Sequence, residues 1–399
     1  MRLASRVEQI EPFWVMECAK TADEIARSAL CDPAQGGRPM VYLNIGEPDQ
    51  TAAPAVIAAA QACVASGRTQ YTAATGLPAL REAIAGWYLQ REGLVIDPAR
   101  IVVTAGASGA LQLLTMALVE PGDEWLMADP AYPCNRHFIS AAGGHARLLS
   151  ASPAQRYQLD AASVEAAWNE RTQGVLIASP ANPTGTSLSF EALQALAHTV
   201  SQRGGHLVVD EIYQGLSYGA TPPRSALHLG EQVIVVNSFS KYFGMTGWRL
   251  GWLVLPPALV APVERLAQNF TICPSVIAQQ AALACFTPET LALCEARRLH
   301  LQARRDFIVP ALNQLGLTVP VMPDGGFFAW LDVRAYGNSS WDFCFELMRR
   351  GQIALTPGRD FSPVQGAAYA RLSFASSMAQ LQEALARLQA LLPLWHAQP

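Results

Sequence analysis

Six short apolar runs punctuate residues 101–255, and stretches with helical spacing lie between several of them. The runs are Ile101-Val102-Val103, Trp125-Leu126-Met127, Val175-Leu176-Ile177-Ala178, Leu207-Val208-Val209, Val233-Ile234-Val235-Val236 and Leu250-Gly251-Trp252-Leu253-Val254. They do not alternate apolar with polar residues, as expected of strands buried on both faces. Helical spacing appears at Ala110–Leu118, from about His137, and at Glu191–Ala197. The alternation predicts an α/β domain with a mostly parallel sheet. Ligands of such sheets sit at the carboxyl ends of the strands. The residues that matter most are therefore those just after each run.

The rest of the chain is patterned differently. A long Arg/Leu/Ala-rich helix is predicted over roughly 289–315. Short strands are expected around Phe327–Leu331 and Arg371–Phe374, with a final helix over about 378–392. An amphipathic helix near the start (Val15, Met16, Ala19, Ala22, Ile25, Ala26, Leu30) reads as an arm or as part of the second domain. The expected division is 1–45 as N-terminal arm and part of a small domain, 46–288 as a large domain, and 289–399 as a small α+β domain. A chain of 399 residues is long enough for two cores.

Composition excludes several classes. The net charge is −4, with no basic stripe, which argues against nucleic-acid binding. There is no run of 18 apolar residues, so no membrane span is expected. The N-terminus turns polar too soon for a signal peptide. Cys18, Cys31, Cys63, Cys134, Cys273, Cys285, Cys294 and Cys344 are scattered without a C-x-x-C pair. They read as buried thiols of a cytoplasmic protein, not as disulfide partners or metal ligands.

Of the 28 Lys and Arg residues only two are lysines, Lys20 and Lys241. Only a primary amine able to lose its proton forms a Schiff base, so a lone lysine among arginines points to chemistry. The count alone leaves an ordinary surface lysine equally open. The strand ends are more informative. Ser238, Ser240, Lys241 and Arg249 follow the run 233–236, and two hydroxyls with a guanidinium suit a phosphate dianion. Asp210 and Tyr213 follow 207–209, where a carboxylate could hold a protonated ring nitrogen. A helix cap with a core tyrosine is the plainer alternative. Asn182 sits in the turn Ser179-Pro180-Ala181-Asn182-Pro183-Thr184-Gly185. Thr104-Ala105-Gly106-Ala107-Ser108-Gly109 leads into a helix whose first N–H groups could meet a phosphate.

With these blocks in order, the chain resembles the class I/II, fold-type I aminotransferases that use pyridoxal 5′-phosphate. The resemblance runs from Asn44-Ile45-Gly46-Glu47-Pro48-Asp49 to Arg371-Leu372-Ser373-Phe374. It implies a large domain with a mostly parallel seven-stranded sheet flanked by helices, plus a smaller α+β domain. It implies Lys241 as the Schiff-base lysine and Asp210 as partner of the pyridine nitrogen. Asn182 and Tyr213 correspond to the pair on the ring hydroxyl. Ser238, Ser240 and Arg249 correspond to phosphate ligands, joined by the amides of Ala107 and Ser108. Tyr132 resembles the aromatic stacked on the ring, and Tyr71 the tyrosine that reaches the phosphate of a neighbouring subunit. Arg371 resembles the α-carboxylate clamp, with Gly46 and Asn182 beside the substrate. The expected activity moves the amino group of an L-amino acid to a 2-oxo acid by a ping-pong cycle, in a homodimer with shared sites. The same fold could instead catalyse β-elimination from a sulfur amino acid. A cofactor-binding regulator would need a DNA-binding extension, and only one helix is expected before residue 44. Phe13, Trp14 and Phe270 lean towards neutral or aromatic donors, or are simply core.

Overall fold

The computed structural model describes residues 2–8, 10–219 and 224–395. Seven strands form the central sheet: β2 (Ile101–Thr104), β3 (Glu124–Asp129), β4 (His145–Ser150), β5 (Thr172–Ala178), β6 (His206–Asp210), β7 (Ile234–Ser238) and β8 (Gly251–Val254). Their order is β2-β8-β7-β6-β5-β3-β4, parallel except for β8, which runs antiparallel between β2 and β7. All six apolar runs are strands here. The seventh, β4, lies at the sheet edge and is only partly buried. Its His145 and Arg147 hid it from the apolar pattern, as edge strands often do.

The helices around this sheet, touching it directly or through a neighbouring helix, are α3 (Pro54–Ala65), α4 (Pro78–Glu92), α5 (Gly106–Leu118), α6 (Pro133–Ala141), α7 (Ala161–Ala167), α8 (Phe190–Gln202), α9 (Pro257–Phe270) and α10 (Val276–Ala282). Helix α8 shows the local logic. Ser189 caps it by accepting from the Ala192 N–H, and Leu193, Leu196 and Val200 bury one face. Helix α6 begins at Pro133, earlier than the expected His137, because proline at the first helical position is already set for the helix.

A second layer is built from α11 (Pro288–Gln314), α12 (Ser340–Gly351) and α13 (Met378–Leu391) around an antiparallel sheet. That sheet has the order β11 (Thr356–Pro357), β12 (Tyr369–Ser373), β9 (Phe328–Asp332). The N-terminal region joins this layer. After a short α1 (Ser5–Glu8), α2 (Trp14–Ala26) packs Cys18 and Ala22 against Met348 and Ala354. Strand β1 (Val41–Tyr42) pairs in parallel with β10 (Ile353–Ala354). The main core runs continuously from the central sheet into the second layer, with Trp252, Phe239, Phe327 and Phe328 fully buried. Each such side chain contributes about 1.5–3 kcal/mol relative to exposure.

Six of the eight cysteines are buried thiols, as expected. Cys134, in the first turn of α6, and Cys273, in the loop after α9, are half-buried. Among the described residues no helix is long and apolar enough to cross a membrane.

Candidate functional site

The carboxyl ends of β2, β5, β6 and β7 open onto one cleft of about 260 Å³. Gly46, Ala107, Ser108, Tyr132, Asn182, Asp210, Tyr213, Ser240, Lys241, Arg249 and Arg371 all line it. Ser238 does not. Its hydroxyl lies 3.0 Å from the Leu250 carbonyl and 2.9 Å from Ser240 Oγ, directly behind the cleft wall. Tyr71 also stands apart, 78% exposed.

Lys241 donates from Nζ to the Gly46 carbonyl at 2.6 Å. Burial brings its ammonium down to about 8; Arg371 and Arg249 push the same way, and Glu47 and Asp210 oppose them. Asp210 ends β6 with its carboxylate enclosed. Burial raises it to about 6, against the Ile212 N–H bond at 3.0 Å and the pull of Lys241. A cation placed beside Asp210 would restore its ionised form. Tyr213 packs edge-on to Phe327 and Phe328, and burial lifts its phenol well above the usual range. The hydrogen bond with Asn182 works the other way, favouring the phenolate.

Helix α5 starts without a side-chain cap, so its first N–H groups face the cleft unpaired by the helix. Two glycines let backbone and guanidinium close up there. Gly106 has φ +73°, and a Cβ on it would lie 2.7 Å from Arg249 Nη2. A Cβ on Gly251 would meet the Gly106 carbonyl carbon at 2.8 Å. Arg249 itself adopts φ 51° and donates to the Thr246 carbonyl at 3.0 Å. The combination of uncapped amides, a guanidinium and Ser240 is an anion cradle.

Arg371 is 2% exposed. It donates to Asn182 Oδ1 and to the Asn44 carbonyl, each at 3.0 Å, and to Thr356 Oγ1 at 3.4 Å. The rings of Phe328 and Phe361 lie 4.3 and 4.8 Å from its guanidinium carbon. Among the described residues all its hydrogen-bond partners are neutral and Nε has none, and burial lowers its pKa to about 10. A buried cation held this way is poised for an anion.

Several lining residues escaped the sequence reading. Asn135 is 3% exposed, its Oδ1 has no partner among the described residues, and Leu111 and Phe138 add apolar wall. Asn44 and Thr356 position Arg371 through contacts that no local motif encodes. Phe13 lines the cleft with Val15 and Met16, whereas Trp14 and the 56% exposed Phe270 do not.

Comparison with known proteins places this geometry. The aminotransferase class I and II family matches residues 38–388. The valine–pyruvate aminotransferase of Mycobacterium tuberculosis is 37% identical over 96% of this chain and 97% of its own. The arginine–pyruvate transaminase of Pseudomonas aeruginosa is 33% identical over 88% of this chain and 90% of its own. A crystal structure of an aminotransferase from M. tuberculosis superimposes with a TM-score of 0.93 at 37% identity, covering 98% of this chain and 99% of the other. The aspartate aminotransferase of Thermus thermophilus with maleate gives 0.89 at 31% identity, covering 98% of this chain and 100% of the other. The chain has the fold-type I architecture, belongs to the class I and II aminotransferase family, and is an enzyme that transfers amino groups.

Proposed function

We propose that this enzyme uses pyridoxal 5′-phosphate to move the amino group of neutral L-amino acids with apolar side chains to a 2-oxo acid. The observation that carries the reading is the joint placement of Lys241, Asp210 and the uncapped start of α5 around one cleft. The residues fit the cofactor. The cradle of α5 amides, Ser240 and Arg249 suits a phosphate dianion, with Ser238 supporting Ser240 from behind. Asp210 suits a protonated ring nitrogen, Asn182 and Tyr213 suit the ring oxygen, and Tyr132 suits the ring face. When bound, the cofactor supplies the electron sink that weakens the bonds at the substrate Cα.

The protein's own groups do the rest. Lys241, with its amine near 8, is partly neutral at physiological pH and can act as nucleophile. With the cofactor bound, Lys241 would hold its aldehyde carbon, and the Nζ would be the amine placed to take a proton from the substrate Cα and hand it on. Arg371 takes the α-carboxylate in two parallel hydrogen bonds, which orients the Cα bonds. Gly46 offers a carbonyl to the amine, and Asn182 braces the guanidinium. Two half-reactions of this kind make a ping-pong cycle.

Donor choice follows from the wall. Phe13, Val15, Met16, Leu111 and Phe138 are apolar. Arg249 and Arg371, the guanidiniums lining the cleft among the described residues, already have phosphate and α-carboxylate to bind. A relative named for valine and pyruvate agrees with an apolar donor. Exposed Tyr71, Phe270, Ile272 and Val64 support a homodimer in which Tyr71 serves the partner's cofactor. Residues 46–288 then form the large cofactor-binding unit, and 1–45 with 289–399 the small one, in a cytoplasmic enzyme.

The test is a single-turnover panel of amino acids followed by cofactor absorbance, with steady-state turnover against pyruvate. Valine and leucine should react and require an acceptor. Release of pyruvate and ammonia from sulfur amino acids without an acceptor overturns amino transfer as the main chemistry. A preference for aspartate overturns the donor class, and a monomer by sedimentation overturns the shared site.

A further inference from the structure

Helix α2 is held at its start by a residue from the far end of the chain. Phe13 occupies its N-cap position and supplies no side-chain hydrogen bond. Asp360 supplies it instead. Oδ1 accepts from the Trp14 N–H at 3.1 Å and Oδ2 from the Val15 N–H at 2.5 Å. The carboxylate is 2% exposed, and burial raises its pKa against the pull of these two bonds. A carboxylate at a helix start satisfies orphan N–H groups and meets the positive end of the helix dipole.

The residues around Asp360 tie the same loop to the cleft. The Phe361 carbonyl accepts from the Ala131 N–H at 2.9 Å, one residue before Tyr132. The Phe361 ring lies against Arg371. Arg359 stacks over Trp14 at 4.3 Å and over Trp341 at 5.2 Å. On the other side of the helix start, the Phe13 ring meets Tyr132 edge-on at 6.1 Å. One loop therefore touches the α-carboxylate clamp, the Tyr132 turn and the helix that carries Phe13, Val15 and Met16 to the cleft.

We propose that Asp360 is a positioning residue for donor selection: by capping α2 it seats Phe13, Val15 and Met16 as the wall that meets the donor side chain. This rests on the apolar-donor reading above. Without the carboxylate, the first N–H groups of α2 lose their partner and the first turn frays. The wall loosens while Lys241 and Arg371 stay in place. A small donor makes little use of that wall, whereas a large apolar donor depends on it.

The experiment compares wild type, Asp360→Ala and Asp360→Asn as holoenzymes, with alanine and leucine as donors. Asp360→Ala should raise KM for leucine about tenfold, in line with the loss of an N-cap. KM for alanine and kcat for both should change less than about twofold. Asp360→Asn should fall between, because its amide oxygen can still accept one N–H. Hydrogen exchange supplies an arm independent of turnover: peptides covering 14–26 should exchange faster in Asp360→Ala, and those covering β6 and α13 should not. If Asp360→Ala does not fold, Asp360→Asn carries both comparisons. Equal rises in KM for alanine and leucine overturn the selection role, and unchanged exchange over 14–26 overturns the capping role. A wild-type enzyme that ignores leucine overturns the apolar-donor class and the selection role with it, while the exchange arm still reports whether Asp360 holds α2.

Discussion

Arg371 and Asn182 meet at 3.0 Å across 189 residues of chain, guanidinium to side-chain carbonyl. Arg371 belongs to β12 of the three-stranded sheet, and Asn182 to the turn that follows β5 of the central sheet. A second arm of the guanidinium reaches the Asn44 carbonyl. The guanidinium is thus set where two sheets and the N-terminal segment converge, and its geometry reports on that docking.

Arg371→Lys keeps a charge but not the planar fork, so it cannot hold Asn182, Asn44 and a carboxylate together. KM should rise about 10²-fold for every donor alike, as expected when one partner of a buried charged pair is lost. Asn182→Ala should cost about 1–3 kcal/mol of stability by leaving a buried N–H of Arg371 unpaired. Steady-state kinetics and denaturant titration check the two effects separately.

Lys241→Ala should abolish transamination while leaving the fold intact. In wild type, borohydride reduction with pyridoxal phosphate should mark Lys241 and leave Lys20 unmodified. Lys20 is exposed and paired with Glu17 at 2.7 Å, far from the enclosed low-pKa environment of the cleft. Peptide mass spectrometry reads the outcome, and a label on Lys20 alone would count against the assignment.

The two enclosed charges give the cofactor-free protein a defined pH dependence. The folded pKa of Lys241 is about 8 against an ordinary 10.5. Between these values the unfolded chain holds a proton that the fold has lost, so stability rises with pH. The folded pKa of Asp210 is about 6 against an ordinary 3.8. There the fold holds the extra proton, so stability falls as pH rises from 3.8 to about 6. Both groups are charged between about pH 6 and 8, where their net contribution is least favourable. Thermal melts should show Asp210→Asn removing the acid-side fall and Lys241→Met removing the alkaline-side rise.

Gly106→Ala places a Cβ 2.7 Å from Arg249 Nη2 at a backbone φ of +73°. Both the clash and the left-handed conformation oppose it, at a cost of about 1–3 kcal/mol. Arg249 must move away from the α5 amides, so affinity for the cofactor should fall along with Tm. Equilibrium dialysis against pyridoxal phosphate distinguishes this from a change in stability alone.

The readable parts of the fold were those with a local physical signal. Val175–Ala178 and Val233–Val236 are buried on both faces and announce themselves as uninterrupted apolar runs. His145–Ser150 is a strand because a neighbour pairs with it, and its half-exposed side chains carry no such signal. Strands β1, β10 and β11 have two residues each, too few to show a period. The antiparallel direction of β8 is likewise a property of assembly. In the cleft, Lys241, Asp210 and Asn182 stand just beyond strands and could be found from that position. Asp360 and Asn44 act through partners more than 300 residues away, and Thr356 through its cross-strand neighbour Arg371, so none of these contacts is written in the residues beside them.

The pairing of β1 with β10 also has a consequence for synthesis. Val41 lies opposite Ile353, so the first strand waits for roughly 300 residues to emerge before its partner exists. At about 5–20 residues per second that delay is about 15–60 s on the ribosome. The central sheet comes from the contiguous stretch 101–254 and can form during the wait. Meanwhile Met348 and Ala354, which pack against Cys18, Ala22 and Met40 in the fold, have not yet been made. A nascent chain of this enzyme therefore exposes the apolar face of α2 long before the residues that bury it have been made.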